Sequence, residues 1–161
     1  MGFLDQAIQL ETDGELFYRE LATQAQDASV KIIIGLLADD EVKHRIVIEN
    51  MEAGLSVHLV PTQILESTHD IFNKLKQHNH LVTYLGSVTQ SLKMAQDIEI
   101  SSYRYYRQEA KKIIDPEYQT VLLRIADEEE KHASIILDLI NYYNSPKQWL
   151  EDAEWNHHDE Y

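Results

Sequence analysis

Residues 37–44 read LADDEVKH, and residues 125–132 read IADEEEKH, 88 positions further along the chain. Each copy holds a Glu-x-x-His motif, Glu41 with His44 in the first and Glu129 with His132 in the second. Residues three apart lie on one face of an α-helix, so each pair is able to bind one metal ion together. A repeat of this length is far too long for a solenoid unit, and it indicates two related halves of one domain.

A second set of polar residues repeats with the same spacing. Glu11 and Tyr18 recur 88 positions later as Glu99 and Tyr106. In each copy the tyrosine follows its glutamate by seven residues, so both side chains project from the same helix face, two turns apart. One Glu-x-x-His motif on its own is usually an ordinary surface pair. Two copies, each accompanied by the Glu and Tyr pair, favour a metal site instead.

The rest of the chain has the spacing of α-helices. Glycine and proline are scarce, with 5 and 3 residues, and apolar residues recur every three or four positions. Ser29 and Asp115 are the predicted N-caps of the second and fourth helices, and Pro116 suits the first position of the fourth. The predicted helices cover residues 3–26, 29–54, 87–114 and 116–144.

The predicted helices leave two short loops and one long connection. The long connection, residues 55–86, is able to carry the chain back along a bundle, and it has helical spacing from Thr62 to His78. Two antiparallel helix pairs joined by one long crossover define the ferritin-like form of the four-helix bundle. We therefore predict an all-α fold with one domain over residues 1–145, built from halves 3–54 and 87–144.

Residues 146–161 are expected to form a separate C-terminal tail with a short helical segment. The tail contains both tryptophans, Trp149 and Trp155. We expect them to pack on the bundle or on a neighbouring subunit, because large aromatic side chains are rarely left in water. His157 and His158 are either solvated or part of a weak metal site at the surface.

Composition narrows the class of protein. At 161 residues the chain is long enough for one domain with a substantial core. The net charge of −14, from 14 basic and 28 acidic residues, makes nucleic acid and anionic membranes poor partners and suits a protein that attracts cations. The chain has no cysteine, which removes disulfides and zinc-thiolate sites and fits a reducing cytoplasm. We expect no membrane span and no signal peptide.

The repeated polar residues form a candidate ligand set of four carboxylates and two imidazoles, whose charges would balance two divalent cations. Oxygen-rich sites with one imidazole per metal suit two iron ions, or manganese, with zinc as a substitute. Without metal, carboxylates this close in a core would repel one another and raise some of their pKa values. The predicted ligands are Glu11, Glu41, His44, Glu99, Glu129 and His132.

These motifs resemble those of the rubrerythrin family, and most of all the stand-alone rubrerythrin-like proteins that lack a rubredoxin module. The resemblance covers residues 3–144 and implies a ferritin-like di-iron bundle. It also implies that Tyr18 and Tyr106 donate hydrogen bonds to carboxylates of the opposite half, the alternative being core tyrosines. The implied bridging ligands are Glu41 and Glu129, the terminal carboxylates Glu11 and Glu99, and the terminal imidazoles His44 and His132.

The chain departs from the rubrerythrin pattern near the expected site. That family has a further glutamate about one turn after the terminal glutamate of the third helix, where this chain has Ser101 or Ser102. A rubredoxin iron centre needs cysteine, so any reductant must come from another molecule. Gly14 and Ser102 are small residues beside the expected site, which either leave room for oxygen or peroxide or permit close helix packing.

Three further carboxylates lie close in sequence to the predicted ligands. Glu15 is either an extra carboxylate near the metals or the ion-pair partner of Arg19, four residues further on. Asp40 and Glu128 each precede a predicted histidine ligand by four residues. They either orient an imidazole or face solvent, and we predict that they face solvent.

The resemblance implies a di-iron oxidoreductase that reduces hydrogen peroxide or oxygen with electrons from an external donor, and so disposes of these oxidants under oxidative stress. The alternative from another class is ferritin-type iron oxidation and storage without turnover of an outside substrate. A third interpretation is a structural bundle whose metals only stabilise the fold. Assembly size separates the first two, because storage needs a cage or an encapsulating partner, whereas we expect this protein to be a homodimer.

Overall fold

The computed structural model of the chain describes residues 2–59, 62 and 87–144, and these contain four α-helices and no β-strand. The all-α prediction is therefore confirmed for the part of the chain that the structure describes. The four helices are α1 (Phe3–Gln24), α2 (Ala28–Glu52), α3 (Ser87–Ala110) and α4 (Pro116–Asn144).

Helix α4 begins as predicted, and helix α2 does not. Asp115 caps α4, since its Oδ1 accepts hydrogen bonds from the backbone N–H of Glu117 and Tyr118 at 2.9 and 3.4 Å. The predicted cap of α2, Ser29, is wrong. Asp27 fills that position, and its carboxylate accepts from the backbone N–H of Ser29 and Val30 at 2.8 and 3.3 Å. An aspartate placed two residues earlier satisfies two free donors of the first turn, so the helix starts earlier.

The ends of the first three helices fall slightly before the predicted positions. Helix α1 stops at Gln24, and α2 stops at Glu52, after which Gly54 adopts a left-handed φ of +71° that favours glycine. Helix α3 stops at Ala110 instead of Ile114. The backbone there tightens into a turn in which the Ile113 N–H donates to the Ala110 carbonyl at 3.3 Å, and α4 begins soon after.

The helices pack as two antiparallel pairs, α1 with α2 and α3 with α4. Ion pairs cross the first pair, from Arg19 to Asp39 at 2.8 Å and from Arg45 to Glu15 at 2.7 Å. The two pairs face each other through contacts of α1 with α3 and of α2 with α4. This is the predicted ferritin-like arrangement of four helices.

The core is divided into two apolar clusters with a polar layer between them. One cluster centres on Ile34, Leu37 and Ile135, and the other on Ile48 and Leu122. Along each helix the predicted metal ligands fall between the residues of the two clusters. The fold therefore places the candidate site inside the bundle, closed by packed side chains on both sides.

Some predictions concern residues that the structure does not describe. They are the helical spacing of the crossover beyond Thr62, the C-terminal tail with Trp149 and Trp155, and the His157-His158 pair. Within the described ranges, none of the helices has the length and apolar character that crossing a membrane requires.

Candidate metal centre

The structure brings all six predicted ligand residues together in the centre of the bundle. Each is buried, with between 0 and 4% of its surface exposed. Their ligand atoms form two groups of four, and within each group the atoms lie within 4.8 Å of one another. Glu41 and Glu129 belong to both groups, which is the arrangement needed by residues that bridge two metals. The groups are Glu11, Glu41, His44 and Glu129, and Glu41, Glu99, Glu129 and His132.

The two imidazoles direct Nδ1 toward the carboxylates. Nδ1 of His44 lies 3.4 Å from Glu11 and 3.3 Å from Glu129. Nδ1 of His132 lies 3.3 Å from Glu41, 3.6 Å from Glu99 and 3.2 Å from Glu129. The rings are stacked with their centroids 5.8 Å apart. Nδ1 is therefore the atom that each histidine offers to a metal.

The prediction that Asp40 and Glu128 face solvent is wrong, because both side chains are buried and each contacts an imidazole. Oδ2 of Asp40 lies 3.0 Å from Nε2 of His132, and Oε1 of Glu128 lies 3.3 Å from Nε2 of His44. Each carboxylate thus contacts the histidine of the opposite half of the chain. A carboxylate on one ring nitrogen holds the proton there and leaves the other nitrogen free for metal.

The two tyrosines lie on the opposite side of the ligand set. The hydroxyl of Tyr18 donates to Oε1 of Glu99, and the hydroxyl of Tyr106 donates to Oε1 of Glu11. Both side chains are buried, and each bond joins α1 to α3, as the resemblance implied. These bonds fix one oxygen of each carboxylate, and the other oxygen of Glu11 has no hydrogen-bond partner among the described residues.

Three polar atoms in the site have no hydrogen-bond partner among the described residues: Oε2 of Glu11, Oε1 of Glu41 and Nδ1 of His44. The first and third lie 3.4 Å apart, but not in hydrogen-bond geometry. An unpartnered polar atom in a core costs folding free energy, roughly 1–3 kcal/mol each. All three are atoms that a metal ion would bind, and four carboxylates with two imidazoles suit iron or manganese. The residues present therefore fit a pair of divalent metals.

The metal-free cluster holds protons that a metal would displace. Burial and the neighbouring carboxylates raise the pKa of Glu41 well above its ordinary value, and they raise the pKa of Glu99 to about 8. Burial opposes the charged form of His44 and His132, but the surrounding carboxylates outweigh it and raise the pKa of both imidazoles. Burial likewise opposes ionisation of Asp40, yet its hydrogen bonds from His132 and Thr62 hold its pKa at about 2.

Glu15 lies outside the ligand set. Its carboxylate pairs with Arg45 at 2.7 Å and with Arg19 at 3.6 Å, so the ion-pair interpretation of this residue is confirmed, with Arg45 as a partner that the sequence did not reveal. Ser101 is exposed, and the buried Ser102 donates its hydroxyl to the Ile98 carbonyl at 2.9 Å. No carboxylate stands where the rubrerythrin pattern has its additional glutamate.

A pocket of about 270 Å³ opens on the imidazole side of the site. Glu128, which contacts His44, is part of its wall. Thr62 is another part of the wall, and its hydroxyl donates to Asp40, which contacts His132. The pocket wall is therefore linked to His44 through Glu128, and to His132 through Thr62 and Asp40. The lining residues are Leu59, Thr62, Arg124, Asp127, Glu128 and Lys131.

Comparison with known proteins agrees with this geometry. A family model described as Rubrerythrin matches residues 2–140, and it also matches residues 90–156. No curated protein and no solved structure matches the chain significantly. The family match covers most of the chain and includes all six candidate ligands. The chain therefore belongs to the rubrerythrin family, which implies a metal site, and its buried carboxylates and histidines form a cluster that fits one.

Proposed function

We propose that this protein is a di-iron oxidoreductase that reduces hydrogen peroxide or oxygen in the centre of its helical bundle, within one functional unit spanning residues 1–145. The observation that supports this most directly is the pair of buried ligand groups that share Glu41 and Glu129. Such sharing is unnecessary for two independent metal sites, and it suits two metals that act together.

Each ligand has a role that its surroundings support. Glu41 and Glu129 would be shared by the two metals, since each belongs to both groups. Glu11 and Glu99 are terminal carboxylates, because each belongs to one group and is held by a tyrosine hydroxyl. His44 and His132 would bind metal through Nδ1, since Nε2 of each is engaged by a carboxylate.

When bound, two ferrous ions would supply the two electrons that convert hydrogen peroxide to water, the protons coming from solvent. The protein fixes the ligands before the oxidant arrives, so little reorganisation is needed during the reaction. The tyrosine hydroxyls orient the terminal carboxylates, and Asp40 and Glu128 orient the imidazoles. The packed clusters above and below the site exclude bulk water.

The pocket beside the imidazoles is the proposed access route for the oxidant. The candidate ligands are nearly inaccessible to solvent, so a small molecule needs an opening to reach them. The pocket wall includes charged and hydroxyl groups that are able to hydrogen-bond to a small polar molecule such as peroxide. In this proposal the oxidant enters past Glu128, the residue of the pocket wall that contacts His44.

An external electron donor completes the proposed cycle, because the chain has no cysteine with which to form a rubredoxin centre. The absence of cysteine also fits the reducing cytoplasm as the place of action. We expect a homodimer, a state that is too small to enclose stored iron.

The test is an anaerobic titration of the metal-free protein with ferrous iron, followed by stopped-flow mixing with peroxide and, separately, with oxygen. Binding of two ferrous ions per chain and faster oxidation by peroxide would support the proposed activity. Failure to bind iron stoichiometrically would leave a structural bundle. A Glu129→Gln variant removes one shared ligand, and Glu130→Gln, on the exposed side of the same helix, is its matched control.

A second candidate function is ferritin-type iron oxidation and storage. Ser101 and Ser102 favour it, because the rubrerythrin pattern has at one of these two positions a glutamate linked to ligand switching during peroxide reduction, and the Ser102 hydroxyl bonds to the backbone. Storage predicts faster oxidation by oxygen, ferric iron accumulating beyond two ions per chain, and a large hollow oligomer. Light scattering during the same titration separates the two functions.

A further inference from the structure

Gly14 lies on α1 beside the Glu41 carboxylate of α2. A Cβ atom added at this position would lie 2.7 Å from Oε2 of Glu41 and 3.3 Å from its carboxyl carbon. The first distance is shorter than Cβ atoms tolerate, so any side chain at position 14 would displace the carboxylate. The Glu41 carboxylate therefore occupies the space that a side chain at position 14 would fill.

The other oxygen of the same carboxylate points into the site. Oε1 of Glu41 lies 3.3 Å from Nδ1 of His132 and has no hydrogen-bond partner among the described residues. The carboxylate thus extends from the backbone of α1 to the imidazole on α4. Its position against Gly14 leaves the free oxygen facing His132, inside the candidate site.

The equivalent position in the second half of the chain differs. Ser102 is the counterpart of Gly14 by the 88-residue repeat, and it is buried with its hydroxyl bonded to the Ile98 carbonyl. A Cβ atom is therefore already present on α3 where α1 has none. The repeat thus does not extend to this position, although Glu41 and Glu129 are themselves related by it.

We propose that Gly14 is a positioning residue for Glu41, and that its lack of a side chain gives this carboxylate the place from which it serves both metals. The inference rests on the proposed function for its metal ions, but the contact itself exists in the metal-free protein. Glycine in a helix interior is unfavourable compared with alanine. The structure supplies a reason for glycine at this position that helix formation does not.

The test compares Gly14→Ala with Gly35→Ala. Gly35 is also inside a helix, and a Cβ atom added there meets nothing within 4 Å. Gly35→Ala should raise the thermal unfolding midpoint of the metal-free protein, because alanine favours the helix. Gly14→Ala should fail to raise it, because the Glu41 carboxylate must move. An equal rise in both variants would overturn the proposal without any reference to metal.

Cobalt(II) provides the second measurement, since it binds such sites and its visible spectrum reports the coordination. Gly14→Ala should weaken at least one of the two cobalt-binding steps by on the order of tenfold, as changes to the groups that orient metal ligands do. It should also change the visible spectrum. Ser102→Ala, which keeps the Cβ atom, should leave both unchanged. Unchanged cobalt binding by Gly14→Ala would overturn the proposal. Failure of the unmodified protein to bind cobalt would overturn the proposed function instead.

A double variant separates positioning from general damage to the fold. Glu41→Asp shortens the side chain that meets position 14, so Gly14→Ala combined with Glu41→Asp relieves the close contact. In the Glu41→Asp background, Gly14→Ala should therefore lower the cobalt affinity by a smaller factor than it does beside Glu41. A nonspecific structural effect would not produce such coupling between the two positions. Equal costs in both backgrounds would contradict the proposal.

Discussion

Oδ2 of Asp40 lies 3.0 Å from Nε2 of His132, although Asp40 precedes another histidine, His44, by one helical turn. Glu128 mirrors this relationship by contacting His44 at 3.3 Å, although it precedes His132 in the same way. Each half of the chain therefore supplies a histidine and also the carboxylate that orients the histidine of the other half. Loss of either carboxylate should affect the opposite half of the site.

Asp40→Asn should lower metal affinity by about 10- to 100-fold, because an amide accepts the imidazole hydrogen bond more weakly than a carboxylate does. Calorimetric titration of the metal-free protein with cobalt(II) measures the change. Asp39→Asn is the control, since Asp39 lies next to it but forms an exposed ion pair with Arg19. Equal affinity in both variants would show that the contact between Asp40 and His132 does not support metal binding.

Tyr18→Phe should destabilise the metal-free protein by about 1–3 kcal/mol, because the buried Glu99 carboxylate loses its donor. Tyr106→Phe should do the same through Glu11. Urea unfolding gives the free energies, and Tyr105→Phe is the control, since that hydroxyl makes only long bonds of 3.3 and 3.4 Å near the surface. If Tyr18→Phe and Tyr106→Phe lower the free energy of unfolding no more than the control does, the two buried hydroxyls do not hold the carboxylates.

The stability of the metal-free protein should fall as pH rises from about 5 to 8. Burial and the charge of Glu129 raise the pKa of Glu99 from 4.5 to about 8, so the folded state keeps a proton that the unfolded state releases. Stability from such a group is complete below pH 4.5 and is lost as pH rises through 8. The raised pKa values of His44 and His132 act in the same direction.

Urea unfolding at several pH values, in the presence of a chelator, measures the slope of the unfolding free energy against pH. Glu99→Gln should flatten it, because glutamine does not titrate. Excess metal should reverse the slope, since bound metal requires deprotonated ligands and its affinity increases with pH. A metal-free protein whose stability increases over this range would show that the cluster does not retain protons.

The sequence was sufficient for the fold and for the six candidate ligands, because helical spacing and the 88-residue repeat are both visible along one chain. The sequence was insufficient for contacts between side chains that lie on different helices. Asp40 and His132 are 92 residues apart, and only the packing of α2 against α4 brings them together. The repeat held a usable signal, since Asp40 and Glu128 are also 88 positions apart. Gly14 was recognised as small, but the sequence does not show that Glu41 fills the space beside it.

Arg124→Trp should slow the oxidation of bound ferrous iron by peroxide several-fold, if the pocket beside the imidazoles is the access route. Arg124 is exposed and lies in the pocket wall, so a bulky indole there narrows the opening without disturbing the core. Arg124→Ala is the matched variant, which removes the same charge but leaves the pocket open. Stopped-flow rates at increasing peroxide concentration should separate the two, while the stoichiometry of iron binding stays the same in both. Equal slowing in both variants would mean that the positive charge of Arg124 matters and the width of the opening does not. Equal rates in the two variants and the unmodified protein would mean that peroxide reaches the site by another path.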